Sequence, residues 1–266
     1  VSRGAVKDGS EKGVAEDIFA HWECCAHYGF NKSHATNYGM IAIKTGYLKY
    51  HYPVEYMTAL LSAWKNDNDK CSVYISECHN MGIEVLPPDV NHSGYDFTIE
   101  EHTDGKASIR FGLGAIKNVG QGPVDTIIQA RGHQAFLDLT DFILRVDLRQ
   151  VGKRPLECLI KVGAMDAFGA RKALLRSIDQ MVSVSTSNMK AIEMGQLDLF
   201  GGGTAALPHV VLPANVGVDT NEQLGWEKEL LGLFVSDHPL RSYMSRITDK
   251  ISHSSNQLPE TEAISK

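Results

Sequence analysis

The chain has no apolar run of the roughly 18 residues that a hydrocarbon core demands, so no segment is expected to span a membrane. It has no basic excess either. Its 26 lysines and arginines stand against 32 acidic residues, and the formal net charge of −6 argues against wholesale binding of a polyanion. Cysteine is scarce, at five residues in no framework spacing, which excludes a disulfide scaffold and suits a reducing compartment. The first residues, Val1-Ser2-Arg3-Gly4, offer neither an initiator Met nor an apolar signal core. The chain is therefore expected to begin inside a longer polypeptide and to be cytoplasmic. What remains is ordinary: 43% hydrophobic and 22% charged residues exclude wholesale disorder.

Apolar periodicity predicts a helix from Val14 to about His27, on Val14, Ile18, Phe19, Trp22 and Cys25. A second is expected from Ser33, as N-cap, to about Lys49, and a third from Pro53, in its first turn, to Trp64. Asn66 to Asp69 offer N-caps for the next helix, and Gly82 is placed to end it. Ile83 to Leu86 reads as a strand stopped by Pro87-Pro88. Tyr95–Glu101 and Lys106–Phe111 read as a β-hairpin around Asp104-Gly105, a dipeptide that supplies positive φ. Short helices broken by glycine follow Gly112 to about Ser183, where the polar run Ser183–Asn188 is expected to end the packed region. Gly201 to Gly217 reads as linker, and Trp226 to Ile247 regains apolar periodicity.

One stretch carries chemistry. In Leu113-Gly114-Ala115-Ile116-Lys117-Asn118-Val119-Gly120-Gln121-Gly122-Pro123, a short helix is expected to end at Val119 and a new one to start near Pro123. Glycine at 120 and 122 lets backbone N–H groups approach a phosphate, and the following helix N-terminus adds partial positive charge. Such a bend grips a nucleic-acid strand without reading its sequence. The pattern is that of a helix-hairpin-helix, with Gln121 where an apolar residue is usual and Thr126 where alanine is usual. A second, weaker hairpin is expected at Val162–Asp166, and the alternative, plain helix C-caps in a bundle, stays open. Eight basic residues against four acidic ones between Asp141 and Arg176 favour contact with a DNA backbone; Lys117, Gly120, Gly122, Lys153, Arg154 and Arg171 are the expected contacts. A zinc reading of His21, Cys24, Cys25 and His27 is set aside, because helical neighbours point about 100° apart.

Three segments resemble one family. Tyr28-Gly29-Phe30-Asn31-Lys32-Ser33-His34-Ala35 with Tyr47–Met57, and Gly82–Asn91 after them, look like the fingers signature of the C-family bacterial replicative polymerases, the DNA polymerase III alpha subunits. Phe111–Arg131 and Lys153–Gly169 look like the tandem helix-hairpin-helix region that follows, and Glu227–Leu240 resembles the segment before that family's OB domain. Gln196-Leu197-Asp198-Leu199-Phe200 matches the pentapeptide that docks bacterial proteins on the sliding clamp, with Leu199 and Phe200 as anchors.

The resemblance implies a DNA-directed DNA polymerase, with primer-template DNA, a deoxynucleoside triphosphate, the sliding clamp and other replicase subunits as partners. It implies contact with the incoming nucleotide at Asn31, Lys32, Ser33 and His34. The paired palm aspartates that hold Mg²⁺ in the family have no counterpart on a strand here. Asp67/Asp69 and Asp138/Asp141 are read as helix caps, no catalytic or metal-binding residue is assigned, and the chain alone is expected to be inactive. The expected fold is mainly α with a small β-hairpin/strand element. A helical fingers segment (residues 1–92) leads through a β-hairpin connection (93–112) to a tandem helix-hairpin-helix bundle (113–184). A linker (185–217) carrying the clamp peptide and a short helical segment (218–266) before an absent OB domain complete it. The competing reading is a non-enzymatic helix-hairpin-helix adaptor tethered to the clamp in repair.

Overall fold

The computed structural model describes residues 2–26, 31–103, 105–194, 210–214 and 219–236. They form twelve α-helices and one three-stranded sheet, in two compact units, Val1–Pro53 and Val54–Lys266. The mainly helical chain with a small β element is the fold the sequence predicts.

The first unit holds α1 (Ser2–Lys7), α2 (Lys12–Ala26) and α3 (Lys32–His51). α1 and α2 pack together, and Ala15 is buried between them. α3 begins two residues earlier than a Ser33 cap would place it. Asn31 is the N-cap, its side chain accepting from the His34 amide at 3.1 Å, which leaves Ser33 inside the first turn.

α4 (Pro53–Ala63) starts at the last residue of the first unit, a proline whose missing N–H costs nothing there, and its other residues open the second. Asp67 caps α5 (Asn68–Asn80), accepting from the Lys70 amide at 3.0 Å. Gly82, at φ +74, turns the chain out of α5, and the Ile83 amide closes on the Cys78 carbonyl at 2.8 Å. The strand expected over Ile83–Leu86 shortens to β1 (Val85–Leu86). The hairpin strands are β2 (Thr98–Glu101) and β3 (Ala107–Arg110), with Gly105 at φ +79. β3 is central: it pairs with β1 in parallel, Val85 opposite Ile109, and with β2 antiparallel, Ile99 opposite Ile109.

A single 3-10 turn, Leu113–Ala115, links the sheet to a helical bundle. The bundle comprises α6 (Gln121–Arg131), α7 (Leu139–Arg145), α8 (Leu148–Val151), α9 (Lys153–Lys161), α10 (Arg171–Arg176) and α11 (Ile178–Glu193), and α12 (Thr220–Leu231) packs on α9. One continuous core runs from Met57 and Leu61 through Ile75, Ile109 and Phe111 to Val124, Phe142, Leu156 and Leu159. Truncating Leu159, fully buried, to alanine should cost about 2–5 kcal/mol.

The packed region does not end at Ser183. α11 continues to Glu193, because Ser185 is buried and its hydroxyl donates to the Val146 carbonyl at 2.7 Å while accepting from the Leu148 amide at 3.1 Å. A polar side chain with two interior partners reads in sequence like a linker residue. Val210, buried, brings the chain back to the bundle, and Leu212 fills the space in which a Gly169 side chain would stand.

Candidate nucleic-acid interface

Leu113, Ile116 and Val119 anchor the first bend from within, all buried, and push Lys117, Asn118, Gly120, Gln121 and Gly122 outward. The element before the bend is the 3-10 turn and not a helix running to Val119. Val119 donates to Ile116 at 3.0 Å, and Asn118 sits at φ +68, a conformation that asparagine tolerates better than other side chains. Gly120 is the N-cap of α6. Among the described residues, the amides of Gly120, Gln121 and Gly122 donate to no backbone carbonyl.

Two pairs of glycines in this stretch serve opposite ends. A Cβ on Gly112 would lie 2.5 Å from the Asp96 backbone, and one on Gly114 would lie 2.5 Å from the Tyr95 ring, so the fold itself requires both. Gly120 and Gly122 face open space, and neither has a positive φ. Nothing among the described residues calls for glycine there, and its lack of a side chain leaves the backbone open to close approach from outside. The motif's two departures are also accounted for: Gln121 is exposed and donates to Asp125 at 2.7 Å, and the Thr126 hydroxyl donates to the Gly122 carbonyl at 3.0 Å. A cavity of about 870 Å³ opens beside the bend, lined by residues 65–69, Tyr95 and residues 114–120.

The second bend is not where the sequence reading puts it. Val162, Ala164 and Met165 are buried, the Ala164 carbonyl accepts from the Val90 amide at 2.9 Å, and Gly163 stands at φ +85 against Arg171. Arg171 is correspondingly removed from any phosphate. Its side chain is 7% exposed and bonds Asp166 at 2.9 Å, Glu227 at 2.9 Å and the Lys161 carbonyl at 3.1 Å. Burial alone would lower its pKa; hydrogen bonds to Asp166 and Glu227 outweigh that and hold it above the ordinary arginine value.

The bundle instead repeats the plan of the first bend at α9. Gly120-Gln121-Gly122-Pro123 opens α6 and Gly152-Lys153-Arg154-Pro155 opens α9, each with glycine as N-cap and proline third in the helix. Val124 and Ile127 are buried behind the first, Leu156 and Leu159 behind the second. Gly152 takes φ +81, and among the described residues the Lys153 and Arg154 amides donate to no backbone carbonyl. The Gly-x-x-Pro repeat was visible in the sequence, but the missing second glycine hid it. The two bends lie near each other: Asn118 Nδ2 is 3.9 Å from Cys158 Sγ, and Arg154 is one helical turn before Cys158 on the same face of α9.

The structure divides the basic cluster. Arg145 turns inward, donating to the carbonyls of Ala130, Arg131 and Gln134 at 2.8–2.9 Å and lying 4.7 Å above the Phe136 ring centroid. Arg149 holds Asp147 and Glu193, Lys161 holds Glu157, and Lys172 holds Glu222. Lys153–Asp179 is an exposed pair at 2.6 Å, and Arg154, exposed, meets the half-buried Glu157 at 3.5 Å; each is worth about 0–1 kcal/mol and readily given up for a phosphate. Among the described residues, Lys117 and Arg176 are exposed and form no ion pair. The cations available at the two bends are therefore Lys117, Lys153 and Arg154.

In the first unit, Asn31, Lys32, Ser33 and His34 are exposed at the start of α3, and the His34 ring meets Tyr38 at 4.5 Å between centroids. Asn31 spends its side chain on the cap, so Lys32 and Ser33 are the side chains presented there. Tyr28 to Phe30 and the pentapeptide Gln196, Leu197, Asp198, Leu199 and Phe200 lie outside the described residues, as do the side chains of Cys24 and Cys25. Asp67 and Asp138 act as caps, the latter accepting from the Asp141 amide at 2.8 Å. Among the described residues, no three His, Cys, Asp or Glu side chains converge to hold a metal ion, and no helix is long and apolar enough to cross a membrane.

Comparison with known proteins bears on the same region. Residues 82–175 match the family described as a helix-hairpin-helix motif. DNA polymerase III subunit alpha of Campylobacter jejuni is 40% identical over 247 residues, covering 92% of this chain and 20% of that protein. The subunit of the same name from Vibrio cholerae is 38% identical over 262 residues, covering 97% and 22%. That of Thermus aquaticus is 40% identical over 242 residues, covering 91% and 19%. The chain thus spans about a fifth of the length of these curated relatives.

Proposed function

Because this chain belongs to the DNA polymerase III alpha-subunit family, as a segment about a fifth of its members' length, we propose that it is the part of a DNA-directed DNA polymerase that holds nucleic acid while bond-making proceeds elsewhere in the subunit. The observation that carries this reading is the exposed bend at Gly120–Gly122, where among the described residues nothing requires glycine and three amides donate to no backbone carbonyl. Paired with the start of α9, it offers two helix N-termini to a sugar–phosphate backbone, flanked by Lys117, Lys153 and Arg154. Contacts of that kind position a duplex and carry no sequence information. Acidic charge elsewhere on the chain does not oppose this, since screening confines each patch to about 8–10 Å at physiological salt.

The remaining contacts follow the family. The start of α3 meets the incoming deoxynucleoside triphosphate, with Lys32 as a point charge for phosphate and Ser33 and His34 as hydrogen-bonding groups. Residues 196–200 dock on the sliding clamp through Leu199 and Phe200, and the setting is the cytoplasm, alongside other replicase subunits. Mg²⁺ would supply charge stabilisation to nucleotidyl transfer when bound; among the described residues no three His, Cys, Asp or Glu side chains converge to hold it, and the family reading assigns its ligands to the rest of the subunit.

Fluorescence anisotropy on a primer–template tests the central claim. Affinity should fall steeply between 50 and 200 mM salt, as roughly 0.9 log units per phosphate contact for each log unit of salt, and should not depend on base sequence. Gly122→Val should weaken binding about tenfold, because a branched side chain holds the phosphate off the amides. Unchanged affinity in that variant would overturn the reading.

A further inference from the structure

α3 is the longest helix of the chain among the described residues and buries none of its own. Its apolar side chains fall into two sets. Tyr38, Ile41, Leu48 and Tyr52 share one face; Met40, Ile43, Tyr47 and Tyr50 share another, with Ile43 70% and Tyr50 81% exposed. At about 100° per residue the two sets centre roughly 150° apart. Between them on one side runs a line of small residues, Ala35, Gly39, Ala42 and Gly46, with Lys49 beside its last turn, and on the other a polar edge of Asn37, Lys44 and His51. A helix on the surface of a globule shows one apolar stripe; one that is apolar nearly all round belongs in an interior.

We propose that α3 is an internal helix of the intact subunit, held between two apolar layers contributed by the part of the same polypeptide outside this chain. This rests on the polymerase-subunit reading: the chain is about a fifth of its relatives' length, so most of the polypeptide lies outside it. The two opposed faces choose the occupant. A second copy related by a two-fold axis would cover one face and leave the other in water. Two layers from one large polypeptide cover both. The small-residue line lets a neighbouring helix backbone come close along the third side, so the occupant is helical at least there. The polar edge, opposite that line, stays toward solvent or the nucleotide site at the helix start.

Hydroxyl-radical footprinting of the native Tyr and Met side chains tests this without substitution. The oxidation of Tyr38, on one face, and of Met40, Tyr47 and Tyr50, on the other, is compared between this chain alone and the intact polypeptide. Both sets should lose about tenfold or more of their reactivity in the intact polypeptide, since a packed side chain reacts only through local opening. Primer extension by the same sample keeps the two ideas apart. A polypeptide that extends primers while either face keeps the reactivity of the isolated chain overturns the inference and leaves the polymerase reading standing. One that fails to extend primers overturns that reading instead. Protection that appears in the isolated chain as its concentration rises would assign the faces to self-association and overturn the proposal.

Discussion

Glu227→Ala separates a structural role for Arg171 from a DNA-binding one. Glu227 is fully buried and accepts three hydrogen bonds, from Arg171 at 2.9 Å, the Val235 amide at 2.8 Å and the Ser236 amide at 3.0 Å. Its removal strands two amides, at about 1 kcal/mol each where water does not replace the carboxylate. It also leaves a guanidinium, 7% exposed, with Asp166, half-exposed, and the Lys161 carbonyl as its remaining partners. Breaking a buried pair costs about 3–5 kcal/mol, and the surviving Asp166 contact sets the expectation near the lower end, about 3 kcal/mol. Urea unfolding followed by tryptophan fluorescence is the assay, since Trp226 precedes Glu227 on α12. Replacing both partners by apolar residues, Arg171→Met with Glu227→Leu, removes the uncompensated guanidinium and should leave a loss of about 2 kcal/mol, that of the two amides stranded in either variant. That double variant should bind primer–template as the parent does. A loss below about 1 kcal/mol in Glu227→Ala, or weakened DNA binding by the folded double variant, would refute the reasoning.

Gly152→Ala, forced to φ +81, should cost roughly 1–2 kcal/mol, whereas Gly122→Ala should change stability by less than about 0.5 kcal/mol; thermal unfolding distinguishes them. Asp147 is held at about 2, first by its hydrogen bond with Arg149, against an ordinary 3.8. A depressed carboxylate contributes stability that is complete above pH about 4 and is lost as pH falls toward about 2, so Asp147→Asn should flatten that part of an acid titration followed by circular dichroism. Leu199→Ala with Phe200→Ala should abolish heat of binding to the sliding clamp in a calorimetric titration, by removing both anchors. In the intact polypeptide, Lys32→Ala should raise KM for the deoxynucleoside triphosphate about tenfold, the equivalent of roughly 1.4 kcal/mol, with steady-state primer extension as the readout.

Local chemistry was legible wherever neighbours in sequence settle the matter. Pro53 opening α4, Gly82 closing α5, Asp67 and Asp138 capping, and Gly105 turning the hairpin all follow from backbone rules that operate over four or five residues. The first glycine bend belongs with them, since a Gly-x-Gly before a proline needs no distant partner to be recognised. The second bend was misplaced to Val162–Asp166 because its real counterpart at Gly152 has one glycine where the pattern asks for two. Ser185 misled for another reason. Its hydroxyl is satisfied by Val146 and Leu148, nearly forty residues away in the chain, and composition carries no trace of that.

By itself the sequence determined that the chain is mainly helical with a small sheet, that it carries a glycine bend suited to phosphate, and which family it resembles, because periodicity, caps and motifs are properties of short stretches. Only the tertiary structure decided which cations are locked into the fold and which stay exposed at its surface. Eight basic residues look equivalent along the chain, yet Arg145 is drawn into a ring of carbonyls and Arg171 into a pair of carboxylates, leaving Lys153 and Arg154 with Lys117 beside the bends. The physical reason is that a guanidinium's role depends on what the fold brings within 3 Å or so of it, and those partners come from anywhere in the sequence.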